Sequence, residues 1–329
     1  MTACKRTMLK LTLFTFFVFF GFSPTVQAGE RVVISISPSL TATLNIIAKQ
    51  QGYFSQQGVD AEIRVIASGS KAVEMMLNDE IDISESTIFA LVANSFQRRD
   101  FKIYTQVSIS ANDNMIVARK DRGIRKVTDL KGKKVGVLRG GFPHYVLDLM
   151  LLNAGINSQT VHLVFADSER LEQMLSSGEL DAACLFGGWI DKATNALQEN
   201  AVLFHDEKLV RVTVVHAGKT RTFERRPELF SRILKAYIKA EEYVKKNPDA
   251  AMKTVVQYLK LDMRNAQKVW KPKMIHVALE QSLIKDMENM AQWRISTGLQ
   301  NGPKIPNYLN FIQFLNLTEV DPKRVTITH

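Results

Sequence analysis

The sequence predicts an α/β fold of two lobes joined by a two-strand hinge, on three observations. Short β-rich runs alternate with helical stripes, one strand–helix–strand unit recurs roughly a hundred residues later, and the chain turns mostly helical from Pro227 onward. Alternation of this kind predicts parallel sheets covered by helices, and one repeat is too few copies for a solenoid.

The first element is an export segment. Lys5, Arg6 and Lys10 precede the apolar run Leu11 to Phe22, Pro24 breaks it, and Val26-Gln27-Ala28 offers small or branched residues for cleavage. This is the layout of a secretory signal peptide, and the run falls short of the ~20 residues that a membrane-spanning helix needs. Residues 1–28 are therefore read as a signal peptide, with a periplasmic mature chain from near Gly29. Cys4 falls within it, which leaves Cys184 alone and excludes an intramolecular disulfide. The formal charge of +10 becomes +7 without those three cations. A basic surface can steer anions to a cleft or simply be solvated. With no basic-aromatic recognition motif, it does not indicate a nucleic-acid binder.

Val32 to Ile36 reads as a strand, and Leu44, Ile47 and Ala48 as a helical stripe with Ser39 or Thr41 as cap and Gly52 as terminator. Ala61 to Ile66 is the next strand, Ser68-Gly69-Ser70 a capped turn, Val73, Met76 and Leu77 a stripe, and Ile81 to Ser84 a short buried strand. The same order returns with Leu163 to Phe165, the cap Asp167-Ser168, the stripe Leu171, Met174 and Leu175, and the strand Asp181 to Phe186. Within it, Glu80-Ile81-Asp82 is echoed by Glu179-Leu180-Asp181. Met115 to Ala118, the run ending Val135-Gly136-Val137, and Val212 to Val215 complete the strands. Pro227 and Pro248 sit where first helical turns tolerate proline. The expected organisation is residues 29–114 and 216–329 in lobe one and 115–215 in lobe two, with two crossover strands as hinge.

Several stretches carry a resemblance. Asp129-Leu130-Lys131-Gly132-Lys133-Lys134-Val135-Gly136-Val137 leads into Arg139-Gly140-Gly141-Phe142-Pro143-His144-Tyr145, with Gln51-Gly52-Tyr53-Phe54 before it and Gly178-Glu179-Leu180-Asp181-Ala182 after. In that order the pieces resemble the nitrate/sulfonate/taurine-type solute-binding proteins of ATP-driven importers, a family that includes binders of thiamine-pyrimidine precursors. The resemblance implies a type II periplasmic-binding-protein fold, a monomer, a small-molecule solute and docking on an inner-membrane permease with a separate ATPase. Two departures set this chain apart: Phe142-Pro143 where the family often has Ser or Thr, and the acid in the segment Ser84-Glu85-Ser86-Thr87, read as a loop.

Ligands of open α/β sheets bind beyond the carboxyl ends of the strands. That rule selects Ser37 and Ser39, then Gly69 and Ser70, and Glu85, Ser86 and Thr87 from lobe one. From lobe two it selects Arg139, Gly140, Gly141, Phe142, His144 and Tyr145, and then Phe186 and Trp189. Gly140-Gly141 before a helix start suits an anion, with Arg139 as a bidentate partner. The hydroxyls cap helices or bind ligand, Glu85 meets an amine if it faces the cleft, and the aromatic residues are core or a stacking wall. The expected ligand is an organic anion such as a sulfonate or taurine, with a neutral pyrimidine as the alternative.

Catalysis is not expected. The chain has no G-x-S-x-G, Walker or G-x-G-x-x-G motif, and its six His show no metal-ligand spacing, so no cofactor or metal is implied. A sensory adaptor that docks on a membrane receptor would share every feature above.

Overall fold

Branched apolar residues at alternate positions build the first strand. Val32, Ile34 and Ile36 of β1 (Glu30–Ile36) are all buried, and β1 runs parallel between β2 (Val59–Val65) and β3 (Ile83–Thr87). The computed structural model describes residues 29–110, 114–206, 209, 211–302 and 304–328, so the segment read as a signal peptide lies outside the described residues. The remaining strands are β4 (Phe101–Ser110), β5 (Asn114–Arg119), β6 (Lys134–Val137), β7 (His162–Phe165), β8 (Ala182–Phe186), β9 (Ala201–Phe204), β10 (Val212–Lys219) and β11 (Ile275–Ala278). They form a six-stranded sheet, β11-β4-β10-β3-β1-β2, and a five-stranded sheet, β7-β6-β8-β5-β9.

The two sheets have one plan. In each, three parallel strands (β2-β1-β3 and β7-β6-β8) are continued by two antiparallel ones (β10-β4 and β5-β9). The sequence echo maps onto this plan atom by atom. Asp82 donates its N–H to the Val33 carbonyl at 3.0 Å and accepts the Val33 N–H on Oδ2 at 2.8 Å. Asp181 does the same to Lys134, at 2.9 Å each way. The repeated Asp thus satisfies a neighbouring backbone N–H at the start of both strand pairs.

Helices fill the intervals. The first lobe carries α1 (Thr43–Gln50), α2 (Tyr53–Gln56), α3 (Gly69–Leu77) and α4 (Ile88–Ser95). The second carries α5 (Phe142–Asn153), α6 (Ser168–Ser177) and α7 (Gly188–Leu197). The chain then returns to the first lobe with α8 (Thr220–Arg225), α9 (Pro227–Lys246), α10 (Pro248–Leu259), α11 (Met263–Val269), α12 (Gln281–Ser296) and α13 (Leu315–Val320). Gly52, at φ +70°, separates α1 from α2, and Ser68 and Asp167 cap α3 and α6 through their side chains. Pro227 and Pro248 each open a helix. No helix among the described residues is long and apolar enough to cross a membrane.

Gly136 explains one motif physically. A Cβ at that position would lie 2.5 Å from Leu180 Cδ1 and 2.6 Å from Leu171 Cδ2, so the Val-Gly-Val strand brings α6 close against β6. The second sheet is covered on both faces, by Val146, Leu147 and Leu151 of α5 on one and by Leu171, Leu175 and Ile190 of α6 and α7 on the other.

Two sequence readings change. Val212 to Val215, assigned to lobe two with a boundary at 215/216, is the start of β10, which pairs with β3 and β4 in the first sheet. Ser84 to Thr87, read as a loop, is strand: it pairs with Val214 to Ala217 of β10. Both errors have one cause, because the pairing partner lies far along the chain and leaves no local pattern.

Candidate functional site

The five segments selected in the sequence do follow β1, β2, β3, β6 and β8, or end them. At the end of β1, Ser37 is half-buried and Ser39 closes a turn in which its Oγ accepts the Thr41 N–H at 3.4 Å. The hydroxyl oxygens of Ser37, Ser39 and Thr41 stand 2.8 Å from one another in a triangle. Behind the triangle lies Glu85, 2% exposed. Its Oε1 accepts from Ser37 N at 3.1 Å, Ser37 Oγ at 3.1 Å and Thr41 Oγ1 at 3.3 Å.

Glu85 neither faces the cleft nor caps a helix. It is buried because Asn45 and His216 meet it from the other side. Asn45 Nδ2 donates to Oε2 at 2.8 Å and lies 3.1 Å from His216 Nε2, while Tyr237 OH donates to Asn45 Oδ1 at 2.7 Å. His216 Nδ1 is 3.3 Å from Tyr104 OH. One assignment satisfies the whole pattern: Asn45 gives one amide hydrogen to Glu85 and one to His216 Nε2, and His216 Nδ1–H donates to Tyr104. His216 Nε2 then accepts, so its 3.5 Å approach to Glu85 Oε2 is not an ion pair. Burial pushes the Tyr104 and Tyr237 phenols well up, which keeps both as neutral hydroxyls.

Gly69 opens α3 hard against β3, since a Cβ there would meet Ser86 Cβ at 3.4 Å. Ser70 is exposed, Ser86 is buried with its Oγ unpartnered, and Thr87 precedes α4 without a side-chain cap bond. These four residues line no described cavity shared with the triangle.

The lobe-two segment Arg139–Tyr145 is sealed rather than open. Gly140 N–H donates to His144 Nδ1 at 3.2 Å, Gly141 N–H donates to the Leu138 carbonyl at 3.1 Å, and Pro143 has no N–H. The N–H groups of the glycine pair, expected to hold an anion, are thus engaged within the loop. Arg139 is exposed, with its guanidinium 5.3 Å from the centre of the Phe165 ring. Phe142, His144 and Tyr145 pack on the other lobe. Phe142 meets Phe89 edge-on at 5.4 Å, and Tyr145 and His144 each lie 5.3 Å from the Trp293 ring. Trp293 Nε1 donates to Asp148 Oδ2 at 2.7 Å, and Leu299 closes on Gly140. Burial, opposed by Asp148 and helped by Arg139, holds the His144 ring below the usual histidine range.

The interlobe opening lies elsewhere, as a cavity of about 390 Å3. Lobe one contributes Pro38 to Thr41, Ser108, and the α11 region including Trp270. Lobe two contributes Met115 and the start of α7 at Gly187, Gly188, Ile190 and Asp191. Phe186 and Trp189 flank that helix start: Phe186 is 40% exposed, and Lys192 stacks on the Trp189 ring at 4.1 Å. Among the selected residues, Ser39 therefore reaches the cavity, Ser37 and Glu85 stand behind it, and Phe186 and Trp189 are chain neighbours of its lining residues Gly187, Gly188 and Ile190 without lining it themselves. Sequence reasoning missed Asn45, His216, Ser108 and the α11 wall. Asn45 offered a signal, as a polar residue inside the apolar stripe Leu44-Asn45-Ile46-Ile47.

No group of three or more His, Cys, Asp or Glu among the described residues could hold a metal. Cys184 is 1% exposed and burial raises its thiol, the opposite of an activated nucleophile.

Two matched sheets joined by two crossovers around a cleft define a type II periplasmic-binding-protein fold. The chain belongs to the family described as NMT1/THI5 like, whose pattern matches residues 41–251. A Brucella abortus (strain 2308) protein, provisionally named a binding protein, is 24% identical over 272 residues, 80% of this chain and 81% of that one. A Bacillus subtilis (strain 168) protein, provisionally named for binding aliphatic sulfonates, is 22% identical over 273 residues, 82% of each. Among solved structures, the periplasmic aliphatic sulphonate binding protein SsuA from Escherichia coli has a TM-score of 0.73 at 14% identity, covering 86% of this chain and 97% of that one. The desulfurization enzyme DSZB shares the fold with a TM-score of 0.68 at 13% identity, over 89% and 99%. The fold thus serves both binding and catalysis, and function must be argued from the site.

Proposed function

We propose that this protein is the exported solute-binding component of an ATP-driven importer and holds a small organic anion, of the sulfonate kind, between its lobes. The observation that carries the reading is the 390 Å3 cavity walled from both lobes, with hydroxyls on one side and the start of α7 on the other. A helix start favours the anionic end of a ligand. The family and its sulfonate-binding relatives support the same class.

A ligand that touches both walls binds the closed form better and shifts the open–closed equilibrium by that difference. The closed monomer then docks on an inner-membrane permease, and a separate ATPase drives release. The second reading, a pyrimidine-like heterocycle, is favoured by Trp270, whose indole borders the cavity with its Nε1 unpartnered.

Thermal melting against sulfonates, carboxylates, nitrate and pyrimidines tests the reading. A ligand at a hundred times its Kd stabilises the native state by about 2.7 kcal/mol. A selective shift with sulfonates supports the main reading, and one with pyrimidines alone supports the second. A flat response from a cooperatively melting protein rejects solute capture of either kind.

A further inference from the structure

We infer that lobe one carries a second ligand site, outside the interlobe cleft, which takes a dianionic organic ligand of the phosphomonoester kind. The inference goes beyond solute capture and does not depend on it, since this site and the interlobe cavity share no lining residue.

The site is a concavity of about 650 Å3 between the end of α4, the segment after α12 and the turn Tyr308–Phe311. A volume of that order suits a small organic molecule. Local geometry holds its rim in shape. Gly302 stands at φ +103°, where a side chain would be strained, and Pro306 is buried. Asn307 Oδ1 accepts the Leu309 N–H at 3.1 Å, which fixes the amide and leaves its NH2 to donate. Gln300, Asn301 and Asn310 add further amide groups to the same wall.

Charge selects the ligand. Arg99 and Lys304 line the concavity, and no Asp or Glu does. Among the described residues neither cation has an acidic partner. Arg99 rests over the Phe311 ring at 5.6 Å, and the nearby Asp100 is held by Arg98 through bonds of 2.8 and 2.6 Å. The interlobe cavity differs, because Asp191 and Asp262 there offset Lys268 and Lys271. A third cation acts close by. Burial pushes the Tyr308 phenol up to about 12, Arg294 and Arg99 both oppose it, and Glu288 of α12 adds to it. Two lining cations without an acid favour a dianion. The guanidinium fork, the Lys304 ammonium and the amide donors suit the oxygens of a phosphate group. Phe96, Ile305 and Phe311 offer apolar surface beside them, so the ligand carries an organic body as well.

The test is calorimetric titration of the purified protein with phenyl phosphate, phenyl sulfate and inorganic phosphate. At about pH 8 phenyl phosphate is a dianion, whereas phenyl sulfate has nearly the same shape and one charge. Phenyl phosphate is expected to bind about tenfold or more tighter than phenyl sulfate, and tighter than inorganic phosphate, which lacks the organic body. Arg99→Gln and Lys304→Gln are each expected to weaken phenyl phosphate about tenfold. Both side chains are exposed, and unchanged melting of the free variants shows that their folds are intact. Equal affinity in the wild type and both variants overturns the site, wherever else the ligand binds. Equal binding of phosphate and sulfate esters overturns the dianion assignment, and no binding of phenyl phosphate overturns the proposal outright. Binding that depends on Arg99 and Lys304, in a protein whose melting no sulfonate, carboxylate or pyrimidine shifts, supports this site and rejects solute capture in the cleft.

Discussion

The two lobes offer the cleft equivalent strand ends, and they treat them in opposite ways. Beyond β1 and β3, Ser37, Ser39, Thr41, Glu85, Asn45 and His216 form a connected polar cluster that opens on a cavity. Beyond β6, the structural counterpart of β1, Arg139 to Tyr145 folds its own donors inward and buries its aromatic rings against Phe89 and Trp293 of the other lobe. The strand-end rule thus finds where a site can be. Side chains arriving from distant segments decide whether it is open. Trp293 and Leu299 come from beyond residue 280, and nothing near residue 140 announces them.

Predictions that break or sharpen this contrast run from large to small. Trp293→Ala removes the ring on which Tyr145 and His144 pack, together with the bond to Asp148, and should cost about 3–5 kcal/mol in urea unfolding. A loss under ~1 kcal/mol would make the sealed region an ordinary surface contact. Glu85→Ala strips the acceptor from Ser37, Thr41 and Asn45 at once and should cost on the order of 3 kcal/mol by the same measurement. Wild-type stability in that variant would show that the cluster is solvated rather than connected.

Gly140→Ala places a Cβ at φ +68°, 3.1 Å from Leu299, and should lower stability by about 1–2 kcal/mol. The pH dependence separates the regions further. The folded His144 pKa lies below its ordinary value of 6.5, so the unfolded chain takes the proton more readily. Stability from this group is therefore present above about pH 6.5 and is lost as pH falls towards the depressed folded value. His144→Gln should flatten the melting profile in that window, and an unaltered profile would place the proton elsewhere. The smallest effect is expected at Arg139, which is exposed and whose guanidinium stacks on the exposed Phe165 ring. Arg139→Ala should cost under ~1 kcal/mol and leave the affinity of any cavity ligand unchanged. A large loss of affinity for an anion would move the anion site to the start of α5.

What the sequence made legible follows from range. The alternation of β1, the caps Ser68 and Asp167, and Pro227 and Pro248 are local patterns, and each appears in the fold as read. The echo Glu80-Ile81-Asp82 and Glu179-Leu180-Asp181 was legible because the same backbone contact recurs in both sheets. Ser84 to Thr87 was misread because its ladder partner is β10, and Glu85 could not be oriented without His216, the residue paired opposite it. The choice between the starts of α5 and α7 was equally hidden, since a glycine pair opens both helices.

Two of the three tryptophans of the chain stand between the lobes, and the third lies on the helix that opens the lobe-two wall of the cavity. Trp293 lies in the sealed aromatic region, Trp270 borders the cavity, and Trp189 sits in the first turn of α7 beneath Lys192. Rotation of one lobe against the other changes the surroundings of Trp293, which packs on Tyr145 and His144 of the other lobe, and of Trp270, which lines the cavity between them. The molecule therefore carries its own optical gauge of closure, and the intrinsic emission of the unlabelled protein, resolved by single Trp→Phe replacements, reports which surface moves first when a solute arrives.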